Sequence, residues 1–272
     1  MNMTASAIAE KPAPAEKEAP SGRLSSVTSA LLVMKAFSAE EAEIGISSLA
    51  KRLGLAKSTV HRLAVTLAAE GFLEQNPDTG RYRLGLSLFT LGALARRRMD
   101  VSNVSRPLLG ALRDKYKEAA TLAILSRTAI MYLHNLESGQ AIGIRAYIGD
   151  LKPAFCTAEG RVLLAYSPAS VVAEVVNEGL VARTAKTLTD PEAFVRALEE
   201  VRLTGYAIDD EESEAGMRCV AAPVRDISGK VIAAVGLAGP TQRLTKKDLR
   251  AMAPEVVATG DAVSVRLGWR PR

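Results

Sequence analysis

Apolar residues in the first third of the chain recur at spacings of three and four, the pattern of helices with one buried face. Val27, Ala30, Leu31, Met34 and Phe37 predict a first helix, which Ser25 or Ser26 can cap. The acidic stretch at 39–43 breaks the pattern. Ile46, Leu49, Ala50 and Leu53 predict a second, short helix with Ser47 as its cap, and Gly54 supplies the turn after it. A third helix buries Val60, Leu63, Ala64 and Leu67 and stops at Gly71. Two short helices joined by a tight glycine turn make a helix-turn-helix. The period then changes. Residues 72–75 and 81–84 predict strands, and Asn76-Pro77-Asp78-Thr79-Gly80 between them is turn chemistry, so a hairpin follows the third helix. Residues 86–99 carry Leu86, Leu88, Phe89, Leu91, Leu94 and Ala95, apolar nearly all round, and Arg96-Arg97-Arg98 closes the run. A short helix of that kind needs burial on several sides, either within one subunit or against a second.

Charge sharpens this picture. The formal net charge is +5, and residues 44–99 hold nine Lys and Arg against three Asp and Glu. Residues 100–272 are nearly balanced, at 22 against 21. One basic segment on a near-neutral body is the footprint of a polyanion partner, although a solvated basic face would look the same from charge alone. Lys57, Ser58, Thr59, His61 and Arg62 fall in the first two turns of the third helix and off its apolar stripe. Recognition helices place such residues against base edges in the major groove. Arg62 suits a bidentate contact with guanine, Ser58 and Thr59 suit a base or a phosphate, and Lys57 suits phosphate. Singly each is an ordinary surface residue; as a set they point to DNA. In the hairpin, Arg81 and Arg83 alternate with Tyr82 and Leu84, which predicts a basic face lying along the phosphate backbone.

Beyond residue 100 the pattern is mixed. Residues 101–117, 191–201 and 249–267 have helical periodicity, whereas 121–126, 130–136, 219–224 and 231–238 are strand-like. Asp226-Ile227-Ser228-Gly229 joins the last two strands as a hairpin. Helices around hairpin-connected strands predict an α+β domain with an antiparallel sheet. Catalytic signals are weak: His134 stands in a predicted strand, Cys219 is isolated in another, and Asp209-Asp210-Glu211-Glu212 reads as an acidic turn. Two cysteines suggest neither a disulfide framework nor a metal cluster, and no cofactor is expected. No apolar run reaches the roughly 18 residues of a membrane span, and residues 1–23, rich in Ala, Pro, Glu and Lys, are expected to be a disordered tail. A cytoplasmic location is the corresponding expectation.

Several segments, in order, resemble one family. Residues 54–63, Gly-Leu-Ala-Lys-Ser-Thr-Val-His-Arg-Leu, and the hairpin run Gly80-Arg81-Tyr82-Arg83-Leu84-Gly85 are similar to the recognition helix and wing of the IclR regulators, named for the isocitrate lyase regulator. Gly205-Tyr206-Ala207, the acidic run 209–212, residues 216–224, Gly239-Pro240 and Leu267-Gly268 resemble the signature of that family's ligand domain. Three positions depart from the pattern. Ser29 stands where an arginine is common in the first helix, and Ala158-Glu159-Gly160-Arg161 replaces a small-apolar-Gly-Lys run. The strand that often carries two serines reads Val235-Gly236-Leu237-Ala238-Gly239.

The resemblance implies a winged helix-turn-helix at 24–85, a linker or dimerisation helix at 86–100, and a GAF-like effector-binding domain at 101–272. Its effector pocket would fall on Thr157, Ala158, Glu159, Asp209, Met217, Cys219, Gly236 and Ala238, and its DNA contacts on Ser47, Lys57, Ser58, Thr59, His61, Arg62, Arg81 and Arg83. The function implied is that of a ligand-responsive regulator, expected as a repressor of a catabolic operon, binding an inverted-repeat operator as a dimer or dimer of dimers. Its effector is expected to be a small organic acid, aromatic or apolar in part, with its carboxylate on the N–H groups at the helix start near Ala158 and Glu159, unless Glu159 turns inward, in which case its carboxylate favours an amide, hydrazide or amine-bearing ligand. An enzyme acting on that small molecule and an architectural DNA-binding protein without a ligand are the competing readings.

Overall fold

A computed structural model describes residues 25–38, 40–97, 100–140 and 148–270. The expected tail at 1–23 and the Ser25 side chain lie outside the described residues, as do the side chains of Arg96, Arg97 and Arg98. The chain divides into two compact units, at residues 1–95 and 96–272.

In the first unit, α1 (Ser25–Lys35), α2 (Ile46–Leu53) and α3 (Lys57–Ala69) precede a hairpin of β1 (Leu73–Gln75) and β2 (Tyr82–Leu84), and α4 (Leu86–Arg97) follows. Gly54 adopts the left-handed conformation that ends α2, with φ at 65°, and this turn redirects the chain into α3. One small core joins the pieces: Val33, Ile44, Leu49, Val60, Ala64, Leu73 and Tyr82 are all buried. Ile44 also bridges Tyr82, so the segment before α2 adds to the hairpin. Two expectations change. The cap of α2 is Gly45, without a side-chain bond, and Ser47 lies inside the helix. In α1 the buried residue is Val33, whereas Val27, Leu31 and Leu32 are exposed. The apolar residues of that helix thus outnumber what its own core can cover.

The second unit is built on a six-stranded antiparallel sheet in the order β5-β4-β3-β8-β7-β6. Its strands are β3 (Ala119–Ser126), β4 (Ala129–Leu136), β5 (Leu151–Pro153), β6 (Ala207–Asp210), β7 (Met217–Arg225) and β8 (Val231–Pro240). Alternation along each strand separates two cores. Val220, Ala222, Val235 and Leu237 pack with α5 (Asp100–Tyr116) and α9 (Lys246–Arg266) on one face. Cys219, Ala221, Ala234 and Ala238 pack on the other with α6 (Ala158–Ala165) and α8 (Pro191–Thr204), while α7 (Ala169–Glu178) lies at the margin. Residues facing α6 are small, and this lets a helix buried along its whole length sit close to the sheet. Caps fix the helix starts: Asp190 accepts the Ala193 N–H on α8, and Thr245 with Asp248 forms a capping box on α9. His134 is buried and donates from Nε2 to the Ser102 carbonyl at 2.7 Å, the satisfied structural histidine expected for a strand position. Among the described residues, no helix is long and apolar enough to cross a membrane.

Candidate functional site

Burial of Val60 and Ala64 turns the opposite face of α3 outward. Lys57, Ser58, Thr59, His61 and Arg62 are all exposed there, and among the described residues none of their side chains makes a hydrogen bond or ion pair. Ser47 is also exposed, on α2. The wing differs from the expected basic face. Arg83 lies opposite Glu74 across the hairpin and holds it at 2.9 Å, with Glu43 a further 3.8 Å contact. Only Arg81 of the two wing arginines keeps a guanidinium without a partner among the described residues.

The second unit encloses a cavity of about 250 Å³ between α6 and the sheet. Seven elements supply its walls: Thr121 from β3, Tyr132 from β4, Lys152 from β5, Thr157 and Glu159 at the start of α6, Asp209 from β6, and Met217, Arg218, Cys219 and Ala238 from β7 and β8. Ser213 and Glu214 complete it from the loop after β6. Of the eight positions expected in the pocket, Thr157, Glu159, Asp209, Met217, Cys219 and Ala238 line it. Ala158 is fully buried in the core beside it. Gly236 lies behind the wall, because a Cβ there would come within 2.5 Å of both Glu159 Oε1 and Thr121 Oγ1. Thr121, Tyr132 and Lys152 carried no sequence signal, since each stands in a strand whose neighbours are apolar.

Glu159 changes the expected chemistry of this pocket. Its side chain turns inward and accepts the Thr121 hydroxyl at 2.6 Å and the Cys219 thiol at 3.6 Å, both on Oε1. A ligand carboxylate at the α6 start would therefore meet a carboxylate. Thr157 already occupies the Gly160 N–H at 3.2 Å. Asp209 is held differently, by the Ser213 hydroxyl and by the N–H groups of Glu212, at 2.7 Å, and Ser213. Burial outweighs those bonds and pushes its carboxyl up to about 6. Burial, then the Glu159 and Asp209 carboxylates, raise the Cys219 thiol well above its ordinary value, so it is not a thiolate nucleophile.

The loop bearing Ser213 and Glu214 is pinned from behind. Arg161 is buried and donates to the carbonyls of Phe155 and Ile208, each at 3.2 Å, and to Glu212. Asp210 points to the opposite face from Asp209 and pairs with Arg218 at 2.5 Å and Lys246 at 2.6 Å. Burial raises its carboxyl, but those cations win and hold it at about 2.

One unit that presents bare polar side chains on a helix and another that encloses a polar cavity define a class, the ligand-responsive transcription regulators. Residues 26–77 match the IclR helix-turn-helix domain and residues 93–265 match the bacterial transcriptional regulator IclR C-terminal domain. The chain is 34% identical to the HTH-type transcriptional regulator KdgR of Escherichia coli, over 90% of this chain and 94% of that one. An IclR transcriptional regulator from Silicibacter sp. TM1040 superposes with a TM-score of 0.80 at 32% identity, covering 91% of this chain and 98% of the other. An IclR homologue from Microbacterium hydrocarbonoxydans, solved in complex with 4-hydroxybenzoate, gives 0.79 at 26% identity, covering 89% and 99%. The chain belongs to the IclR family of bacterial transcriptional regulators. Its relatives are regulators, and nothing in them favours the enzyme reading.

Proposed function

We propose that this regulator sets α3 into the major groove of an inverted-repeat operator and changes its hold on DNA when a small molecule fills the cavity of the second unit. The observation that carries the first half is the α3 face itself, where the five polar side chains between residues 57 and 62 have no partner among the described residues. Native polar groups left so consistently bare on one face suit an external partner with matching donors and acceptors. Arg62 is the base-reading candidate, while Lys57 and Arg81 serve the phosphates. The pairing of Arg83 with Glu74 and Glu43 makes it a residue that shapes the wing.

Two-fold symmetry is part of the proposal. Leu86 and Phe89 are 75% exposed, and Leu91 and Leu94 are 52% and 53% exposed on the same helix. Val27, Leu31 and Leu32 of α1 are likewise large apolar side chains left exposed by the described residues. A second copy covering α4 supplies the missing burial and a symmetric pair of recognition helices. The test is selection from a random duplex library with the full chain. Enrichment of an inverted repeat that Arg62→Ala fails to enrich supports the proposal; enrichment of unsymmetrical sequences, or none, sinks it.

A further inference from the structure

Two residues that are themselves largely buried present polar atoms to the cavity without a partner from the described residues. Glu159 is 2% exposed and Tyr132 6% exposed, and both line the cavity. Glu159 uses only Oε1, which already takes the Thr121 hydroxyl and the Cys219 thiol. Among the described residues, neither Glu159 Oε2 nor the Tyr132 hydroxyl has a hydrogen-bond partner. Neither atom is sealed in the packing, so each is an acceptor open to a donor that a ligand brings into the cavity. Charge is asymmetric too. Glu159, Asp209 and Glu214 face the cavity, and the cations are Lys152 and Arg218. Arg218 is committed to Asp210, the Leu244 carbonyl and Glu211. Lys152 is half-open to solvent at the mouth, with a single 3.4 Å contact to Glu214.

We propose that the effector enters with a nitrogen donor first, an ammonium or amide N–H set between Glu159 and Tyr132, and leaves any acid group outward at Lys152. This rests on the reading of the cavity as the effector site and reverses the orientation expected from the helix start. An ammonium satisfies Glu159 Oε2 with a charge-assisted bond, and the Tyr132 oxygen accepts a second N–H. Gly236 belongs to the same device, because any side chain there would displace Glu159 from Thr121. Space permits a substituted ring, since a cavity of roughly 150 Å³ holds benzene and this one is about 250 Å³.

The experiment uses the full chain and four matched ring probes: benzylamine, benzamide, 4-aminobenzoate and benzoate. Thermal shift and calorimetry read binding, and the ligand-free melting point of each variant reports its folding. The expected result is binding of the three nitrogen donors and none of benzoate. Glu159→Gln should weaken benzylamine about tenfold or more, the worth of one charge-assisted bond, and should spare benzamide. Tyr132→Phe should weaken all three donors. Stronger binding of benzoate than of benzylamine, or no response to any nitrogen donor, overturns the proposal. Ala238→Leu separates this from the underlying reading: it fills the cavity, so probes that bind this variant as well as the parent chain bind elsewhere, and the cavity is then not the effector site.

Discussion

Arg62 on α3 and Arg161 on α6 are both helical arginines at the working part of their unit, and they are used in opposite ways. Arg62 stands exposed with a bare guanidinium. Arg161 is buried and spends its donors on two carbonyls and Glu212. In the first unit, the proposed DNA-contacting face sits on the outside of an independently packed core, and its side chains make no bonds that hold that core together among the described residues. In the second, the proposed effector cavity is inside the core, so residues that hold the fold together also shape it. A regulator with this division can change its operator by altering surface residues alone, whereas a change of effector must be compensated in the packing.

The comparison predicts where substitutions will register. The largest effect is expected at α4, where Leu86→Glu with Phe89→Glu should cost about 3–6 kcal/mol of dimerisation, since each large apolar side chain is worth about 1.5–3 kcal/mol when buried. Sedimentation should show monomers and operator binding should collapse; an unchanged dimer would put the interface elsewhere. Arg161→Ala comes next, at about 3–5 kcal/mol of unfolding free energy for breaking a buried pair. Chemical denaturation measures it, and a loss below about 1 kcal/mol, the range of an exposed pair, would erase the contrast with Arg62. Arg62→Ala should leave the denaturation curve unmoved and cost about 1–3 kcal/mol of operator affinity. Arg81→Ala should weaken specific and non-specific DNA alike and lower the salt slope by about one unit, with Arg83→Ala smaller because that guanidinium is already engaged.

The finest test concerns the adjacent acids of β6. The Asp209 carboxyl is raised from 3.8 to about 6, so its contribution to stability is fully present below pH 3.8 and is lost as pH rises through 6. Asp210, lowered from 3.8 to about 2, contributes above pH 3.8 and loses that contribution as pH falls towards 2. Stability measured from pH 4 to 7 should therefore decline less in Asp209→Asn than in the parent chain. Parallel curves would show that Asp209 is not buried as described.

These differences explain what could be read in advance. The helix-turn-helix was legible because its residues are neighbours in sequence: one apolar stripe, one glycine turn and five polar positions on the other side of a single helix. The cap of α2 was misread because serine favours that position, yet the bridge between Ile44 and Tyr82 fixes how the chain enters the helix and leaves Gly45 there. The pairing of Arg83 was hidden for a similar reason, since strand register, not spacing, puts Glu74 opposite it. In the second unit the main strands and the helices at α5, α8 and α9 were legible from periodicity, and the sheet order was not. Thr121, Tyr132 and Lys152 come from three different strands, and only the sheet order brings them to one cavity. Cys219 and Ala238 are paired across β7 and β8 in the same way.

The contact between Gly236 and the Glu159–Thr121 pair also has a history written into it. Glutamate at 159 and glycine at 236, two separate departures when read along the chain, are one change in space. A side chain at 236 would push the Glu159 carboxylate off Thr121, whereas a glycine at 236 leaves that pair undisturbed. The two positions are therefore coupled, and the acid is best accommodated where the strand has already lost its bulk. Among related sequences, an acid at 159 should be found mostly with glycine at 236, while glycine at 236 should also occur alone. Lineages holding glycine without the acid would be the surviving intermediates, and the natural place to look for regulators that changed effector without changing operator.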